Sequence, residues 1–593
     1  LSFSKNETIQ TTAIETFQEL KLNKPGSEGE SAGSKLVADE LVNLIRSSSM
    51  EEKQYFSEIL RLLVKEEMIN DEVIGMLWRF VMNSSKHNDM NHEDIKNAHG
   101  AMEVIHMMSI SKPIVINNVE NLKLLSEIVF GDAAKARKDY VLVRHACAAL
   151  DAVPSSKDKG PSEAVNQLIM KIEQIICGAW GFSTTNQMDN TTWYPCAQQG
   201  LRVIFKHCFK PDRVCERIVH QCARDIFSNE SNNRASASQM SRFFFLIGEV
   251  AVDLLLHTEE LSVKAKKLRL KAQETREARR EDAKRNGEED SGNMGKELGM
   301  QGSEDDAEMD LFEHIAEEEI IRNNLLSQFS GMVFTIVQRI LKDTKSNVKE
   351  NTEQTAEEEK TPLSVGRIFL NQAAVMTFCK FMSVSRVFCK QGLAILFDVL
   401  EGMKDHEQYA SMRANIVISL GDLLSRFPNV VAPQCHRLYA CLQDKNISVR
   451  KNSLMVISHL ILNGMLKPSG YMAKIAICLE DGETRIADLA RLFFAELKKR
   501  DPKRNPIYNM LPDVISQLSS DRNVESQTFR NIIKFLFKHV DKDVQTENLV
   551  EKLCGRFNRS NEHDQARAER LYCDFAYCLA QLPYGLKCTK KVI

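Results

Sequence analysis

Residues 433–497 read PQCHRLYACLQDKNISVRKNSLMVISHLILNGMLKPSGYMAKIAICLEDGETRIADLARLFFAEL. One run carries Leu438, Leu442, Asp444, Val449, Arg450, Ser453, Val456 and Leu460. The next carries Ile475, Leu479, Asp481, Ile486, Ala487, Ala490, Phe493, Phe494 and Leu497. In both, an acid stands five residues before a β-branched residue that opens a second apolar helix. The pivots Met412-Arg413, Val449-Arg450 and Ile486-Ala487 are spaced by 37 residues, and Val524 follows 38 later. A period near forty with two helices per unit is the HEAT pattern. The first helix of each pair should end near Leu442, with the aspartate in the turn. A carboxylate there accepts exposed backbone N–H groups and favours the start of the second helix. Each pair has more apolar face than it can cover, so neighbouring pairs must stack.

Outward from this stretch the same texture continues. The 593-residue chain exceeds one hydrophobic core, and Gly (26) and Pro (14) are scarce, which favours long helices over many short strands. From Val37 the text runs LVADELVNLIRS, YFSEILRLLVKEE and DEVIGMLWRFVMNSS, with apolar residues three and four apart. Residues 264–285 hold ten basic and four acidic residues, and 288–319 hold thirteen acids and one lysine. These read as a charged helix extension followed by a disordered acidic linker. The expected fold is all-α: a HEAT-repeat α-solenoid interrupted by a long charged linker. The expected layout is a linker segment at 1–35, N-terminal helical repeats at 36–262, a charged linker at 263–310, a helical segment at 311–342, a polar linker at 343–362 and C-terminal HEAT repeats at 363–593. The start at Leu1 and the end after Lys590-Lys591-Val592-Ile593 read as a partial chain.

Composition narrows the function classes. With 78 basic and 81 acidic residues the net charge is −3, so any nucleic-acid contact must come from a local patch. Fifteen cysteines include no CxxC, and many sit in apolar helical text, the pattern of reduced, buried thiols. No window nears eighteen uninterrupted apolar residues, so no membrane partner is expected. His207, Cys208, Cys215, His220 and Cys222 invite a zinc reading, but cysteines seven apart follow helical rather than zinc-knuckle spacing. His92, His99 and His106 also recur by seven and read as solvent-facing or partly buried histidines. Cys573 and Cys578 lie in the apolar run LYCDFAYCLAQL and read as a core face. In GNMGKELGMQG, Lys296 is followed by Glu rather than Ser or Thr and no strand precedes it, which argues against a phosphate loop. No catalytic motif, metal set or cofactor is expected; the chain reads as a non-enzyme.

Three groups of residues remain as candidates. Lys498, Lys499, Arg500, Lys503 and Arg504 could contact DNA phosphates without sequence preference, against the plainer reading of a solvated turn. Arg413, Arg450 and Arg485 lie on second helices and could face a bound peptide or link neighbouring repeats. Thr361-Pro362, the chain's single Ser/Thr-Pro pair, is a candidate phosphosite for proline-directed kinases.

Longer stretches resemble the condensin complex subunit 1 family, the HEAT subunits of condensin I. The resemblance is strongest in RANIVISLGDLLSRFPNVVAPQCHRLYACLQDKNISVRKNSLMVISHLILNGMLKPSGYMAKIAICLEDGETRIADLARLFFAELKKRD, NPIYNMLPDVISQLSS, DVQTENLVEKLCGRF and DFAYCLAQLPY. It extends upstream through MLWRFVMNSS, GAMEVIHMMSISKPIVINN, WYPCAQQGLRVIF and SRFFFLIGEVAVDLLLH. It covers most of residues 60–585; the family's N-terminal repeats and C-terminal tail have no counterpart here. The resemblance implies a scaffold that binds the kleisin subunit, approaches a head of the SMC ATPase heterodimer, meets the second HEAT subunit through the kleisin and helps hold double-stranded DNA or chromatin. It implies a place in the nucleus and on mitotic chromosomes, with a cytoplasmic pool in interphase. A HEAT-repeat nuclear-transport receptor and a phosphatase regulatory scaffold are the competing readings, the first compatible with the acidic stretch at 288–319.

Overall fold

The computed structural model describes residues 30–84, 92–155, 163–178, 187–227, 236–285, 311–347 apart from 313, 323 and 324, and then 362–404, 406–467, 470–500, 505–540, 543–557, 565–582 and 589. Among these every regular element is helical, as the apolar spacing predicts. The chain divides into two compact units, Leu1–Ser330 with Glu359–Thr377, and Gly331–Glu358 with Phe378–Ile593.

The principal helices of the first unit are α1 (Glu30–Ser47), α2 (Met50–Lys65), α3 (Asp71–Asn83), α4 (His92–Ser109), α5 (Tyr140–Ala152), α6 (Glu163–Ile176), α7 (Gln187–His207), α8 (Pro211–Phe227) and α9 (Ala237–Arg285). A capping box starts α2: the Glu52 N–H donates to Ser49 Oγ at 3.3 Å, and the Ser49 N–H donates to Glu52 Oε2 at 2.7 Å. The centre of α4 is buried through Ala98, Ala101, Met102, Ile105 and Met108 and packs against α1, α3 and α5. At Gly100 a Cβ would stand 3.0 Å from Val42, so a small residue lets α1 and α4 approach.

The Phe-rich start of α9 is core. Phe243, Phe244, Ile247, Val250 and Leu255 are buried, and Phe243 meets Phe329 edge-on at 4.9 Å. Arg242 lies over the Trp193 ring at 5.0 Å. Beyond Leu255 the helix continues to Arg285, and its described residues from Val263 onward are exposed. The basic part of the expected linker is therefore helix. The acidic stretch 288–310 and the glycine-spaced segment within it lie outside the described residues.

Two further helices, α10 (Leu325–Asn347) and α11 (Pro362–Val384), precede the repeats of the second unit. These repeats are α12 (Arg386–Gly402) with α13 (Ala410–Arg426), α14 (Cys435–Ala440) with α15 (Ile447–Leu462), α16 (Met472–Ile477) with α17 (Thr484–Arg500), and α18 (Pro506–Ser520) with α19 (Ser526–Phe537). They are followed by α20 (Asp543–Phe557) and α21 (Gln565–Gln581). The 37-residue period is exact in the first helices: α14 and α16 both end in a 3₁₀ turn, at Cys441–Gln443 and Cys478–Glu480. The second helices α13, α15 and α17 pack side by side. Gly421 sets the closest approach, since a Cβ there would lie 2.6 Å from Val456 Cγ1. Val524 departs from the expected pivot role. It is buried in the turn, and α19 begins two residues later at Ser526.

Candidate interaction surface and inter-repeat ties

Asp444 and Asp481 each close the turn between the two helices of a repeat. Asp444 Oδ1 accepts the Asn446 N–H at 2.9 Å, and Asp481 Oδ1 accepts the Glu483 N–H at 2.9 Å. The cap of α15 belongs to Asn446, whose side chain accepts from the N–H groups of Ser448 and Val449. The aspartate is thereby left for a different partner.

That partner is an arginine one repeat earlier. Arg413 donates from Nε to Asp444 Oδ2 at 3.1 Å and from Nη2 to Oδ1 at 3.0 Å. Its Nη1 donates to the carbonyls of Met403 and His406 at 2.8 and 2.7 Å. Arg450 repeats the arrangement, bidentate on Asp481 at 2.8 and 3.0 Å with Nη1 on the carbonyls of Asp444 and Lys445. Arg413 is 1% exposed, so this pair is closed from water, whereas Arg450 is half-buried. The hydrogen bond to Asp481 raises the Arg450 pKa above the ordinary arginine value. The third position is Ala487, and the ladder stops there.

Two more arginines tie repeats at other points. Arg500 reaches back from the end of α17, and its Nη1 donates to the Ile461 carbonyl at the end of α15 at 2.7 Å. A cation on the open carbonyls of a helix end is a favourable C-terminal cap. Gly464, at φ +74°, lies against this guanidinium. In the first-helix layer Arg437 binds Glu401 at 2.6 Å and Asp398 at 2.7 Å while covering the Phe397 ring at 5.0 Å. Sequence reading missed Arg437; nothing in its immediate neighbourhood distinguishes it from any other surface arginine.

The candidate residues fall into distinct places. Arg413 and Arg450 stand between repeats, and Arg485 is exposed on α17. Lys499 is exposed and pairs with Glu496 at 2.6 Å, Arg500 holds the Ile461 carbonyl, and Lys498 is half-buried. Lys503, Arg504 and Thr361 lie outside the described residues. Of the five basic residues, Lys498, Lys499 and Arg500 are among the described ones, at the C-terminal end of α17. Asn505, with φ +42°, caps α18 by accepting the Tyr508 N–H, and Pro506 occupies the first helical position.

The cysteines and histidines of the first unit have structural surroundings. Burial pushes the thiols of Cys147, Cys196 and Cys215 up. His207 Nε2 lies 3.0 Å from the Leu150 carbonyl, and His99 Nε2 lies 2.7 Å from Asp139 Oδ1. Burial pulls the His145 pKa down to about 3, and that of His106 down as well. No described helix is long and apolar enough to cross a membrane.

The repeats that carry the arginine ties are also where this chain matches a known family. Residues 411–577 match the model Cnd1, non-SMC mitotic condensation complex subunit 1. This chain carries a Cnd1 domain. It is similar from end to end to proteins named for the same subunit. It is 28% identical over 612 residues to Condensin-1 complex subunit CAP-D2 of Arabidopsis thaliana, covering 100% of this chain and 39% of the relative. Condensin complex subunit 1 of Xenopus laevis is 28% identical over 606 residues, covering 100% and 41%. That of Saccharomyces cerevisiae is 27% identical over 602 residues, covering 97% and 47%. The chain thus spans less than half the length of these relatives, and the resemblance read from the sequence extends along all of it. The Cnd1 domain begins at Ser411 and contains both arginine–aspartate pairs.

Proposed function

We propose that this chain is a non-catalytic HEAT scaffold of a condensin complex. The observation that carries the reading is the coincidence of the Cnd1 match with the stacked, arginine-tied repeats. In this reading the second-helix layer of residues 410–500 holds the kleisin subunit. The scaffold approaches an SMC ATPase head and meets the second HEAT subunit through the kleisin. ATP hydrolysis belongs to the SMC pair, and this chain contributes stiffness and surface. Lys498, Lys499, Lys503 and Arg504 add a contact to double-stranded DNA without sequence preference, Thr361 accepts phosphate in mitosis, and the acidic stretch 288–319 links two helical arrays. The site of action is the nucleus and mitotic chromosomes, with a cytoplasmic pool in interphase.

Rigid ties between repeats suit this work. A buried bidentate pair has one good geometry, so each link resists rotation of one repeat on the next. A scaffold that spans several partners has to transmit their relative positions through such links. Co-expression of the chain with a kleisin and an SMC pair tests the proposal. Co-purification of all four chains is the expected result. Retention of a small GTPase of the transport class, or of a phosphatase catalytic subunit, with no kleisin in the complex would overturn it.

A further inference from the structure

Helices α6 and α8 of the first unit pack against each other, and one ion pair marks their register. Arg217 on α8 donates from Nε and Nη2 to the two carboxylate oxygens of Glu173 on α6, at 2.9 and 2.8 Å. One turn beyond Glu173 stands Cys177, whose N–H donates to the Glu173 carbonyl at 3.0 Å. Gly178, at φ +84°, ends the helix there. Five residues beyond Arg217 stands Cys222. At about 1.5 Å of rise per residue these steps are about 6 and 7.5 Å, so the two cysteines reach the same level. Both line one small cavity, together with Trp193, Asp225, Arg242 and Phe243. The Cys222 thiol shares a hydrogen bond with Cys177; that bond, burial and the nearby Asp225 carboxylate push its pKa up. Both cysteines are half-buried, so solvent reaches them.

The surroundings select the chemistry of this pair. Cys147, Cys196 and Cys215 of the same unit are buried and behave as core. A structural zinc ion takes four ligands, and among the described residues no three His, Cys, Asp or Glu side chains are gathered to hold a metal. Cys177 and Cys222 therefore have each other as partners. Two thiols already in hydrogen-bond contact need only a small rotation about their Cα–Cβ bonds to reach the S–S distance of about 2.0 Å. In a reducing compartment such a bond is transient and answers to oxidants.

We propose that Cys177 and Cys222 form a modification site that closes to a disulfide under hydrogen peroxide and reopens under a thiol reductant. Cys222, held protonated, is the resolving thiol. Cys177 gives its proton to solvent, its sulfur attacks one peroxide oxygen, and the O–O bond breaks. The departing hydroxide takes up a proton and leaves as water, and Cys177 becomes a sulfenic acid. The Cys222 sulfur then attacks the Cys177 sulfur and the S–O bond breaks. The hydroxyl leaves as a second water with the Cys222 proton. The two thiols lose two electrons and two protons, and one peroxide gains them. The closed bond fastens the end of α6 to α8, over the cavity that Trp193 and Arg242 line, and encloses all of α7 in a covalent loop. The site is independent of the proposed function.

The test treats the full chain, reduced and then freed of reductant, with hydrogen peroxide. Remaining thiols are capped with N-ethylmaleimide and the chain is digested with trypsin without reduction. Cys177 falls in the peptide 172–202 and Cys222 in the peptide 218–224. The expected product is these two peptides joined, about 2 Da lighter than their sum. Fragment ions should place the bond on Cys177 rather than on Cys196 of the same peptide. The link should form about tenfold faster than any other cysteine pair in the folded chain, because the thiols are already in contact. It should disappear on adding dithiothreitol, and in urea its lead over other pairs should vanish. Cys177→Ser should leave Cys222 fully capped, whereas Cys222→Ser should leave Cys177 as a sulfenic acid that dimedone traps. Circular dichroism checks that both variants keep the helical content of the parent, and the parent's own peptides test the site without them. Equal capping of both cysteines before and after peroxide overturns the site. So does a bond from either to Cys208 or Cys215 in its place, a link that forms as fast in urea, or conversion of Cys177 to sulfinic acid with Cys222 still free.

Discussion

Arg413 of one repeat and Asp444 of the next form a bidentate pair at 3.1 and 3.0 Å, closed from water on every side. The same guanidinium donates to two carbonyls of its own turn, so a single side chain fixes both the turn it leaves and the turn it reaches. Arg413→Ala strands a buried carboxylate and two carbonyls. A loss of about 3–5 kcal/mol in the unfolding of this unit is expected from the cost of breaking a buried pair. Arg450→Ala, at the half-buried copy of the pair, should lose only about 1 kcal/mol, in the range for solvent-reached pairs. Urea denaturation of both variants checks the order, and equal losses would contradict it.

The approach of α13 to α15 depends on a glycine. Gly421→Ala places a Cβ 2.6 Å from Val456 Cγ1, and overpacking of this kind costs about 1–3 kcal/mol. Val456→Ala removes the clashing methyl group. The double variant should therefore be more stable than the sum of the single losses predicts, a coupling that a double-mutant cycle measures.

These two cases show what is legible in the sequence and where that legibility stops. The 37-residue period locates every turn from Glu407 to Glu483, because hydrophobic spacing and turn chemistry are local. It places Asp444 in the turn, where its carboxylate accepts the Asn446 N–H as expected, while the cap on the Ser448 and Val449 N–H groups falls to Asn446. It leaves Arg413 and Arg450 between two readings: a period fixes which face a residue shares, and the reach of a long side chain depends on the neighbour's position in space. Val524 falls out of step because the last turn is two residues longer, so equal spacing no longer means equal place.

Stability should fall on the acid side of neutrality. The His145 imidazole is held neutral by burial, with nearby Arg144 acting in the same direction, and its pKa drops to about 3 from the ordinary 6.5. Between those values the unfolded chain binds a proton that the folded chain excludes. The contribution is fully present above pH 6.5 and is lost as the pH falls below it, at up to about 1.4 kcal/mol per pH unit. His106 is lowered for the same reason and adds to the slope. Chemical denaturation between pH 7 and pH 5 should show the decline, and His145→Gln should flatten it.

The basic cluster at the end of α17 should separate into two roles. Arg500→Ala removes the tie to the Ile461 carbonyl and should lower stability by about 1–2 kcal/mol. Charge reversal at Lys499, Lys503 and Arg504 should leave the melt near that of the parent and flatten the salt dependence of duplex binding, by about 0.9 in log–log slope for each phosphate no longer neutralised. Gel-shift titrations at several salt concentrations, with two unrelated duplexes, check this. Unchanged slopes would return the cluster to a solvated turn.

We propose that the second-helix layer of this chain holds a kleisin. Ser448 is exposed on second helix α15, and Lys390 is exposed on first helix α12. A benzoylphenylalanine placed at each position in turn, in the complex assembled with kleisin and SMC pair, reads which layer the kleisin touches. Crosslinking of the kleisin from position 448, with none from position 390, is the result the account predicts. Crosslinking from position 390 with none from position 448 would contradict it.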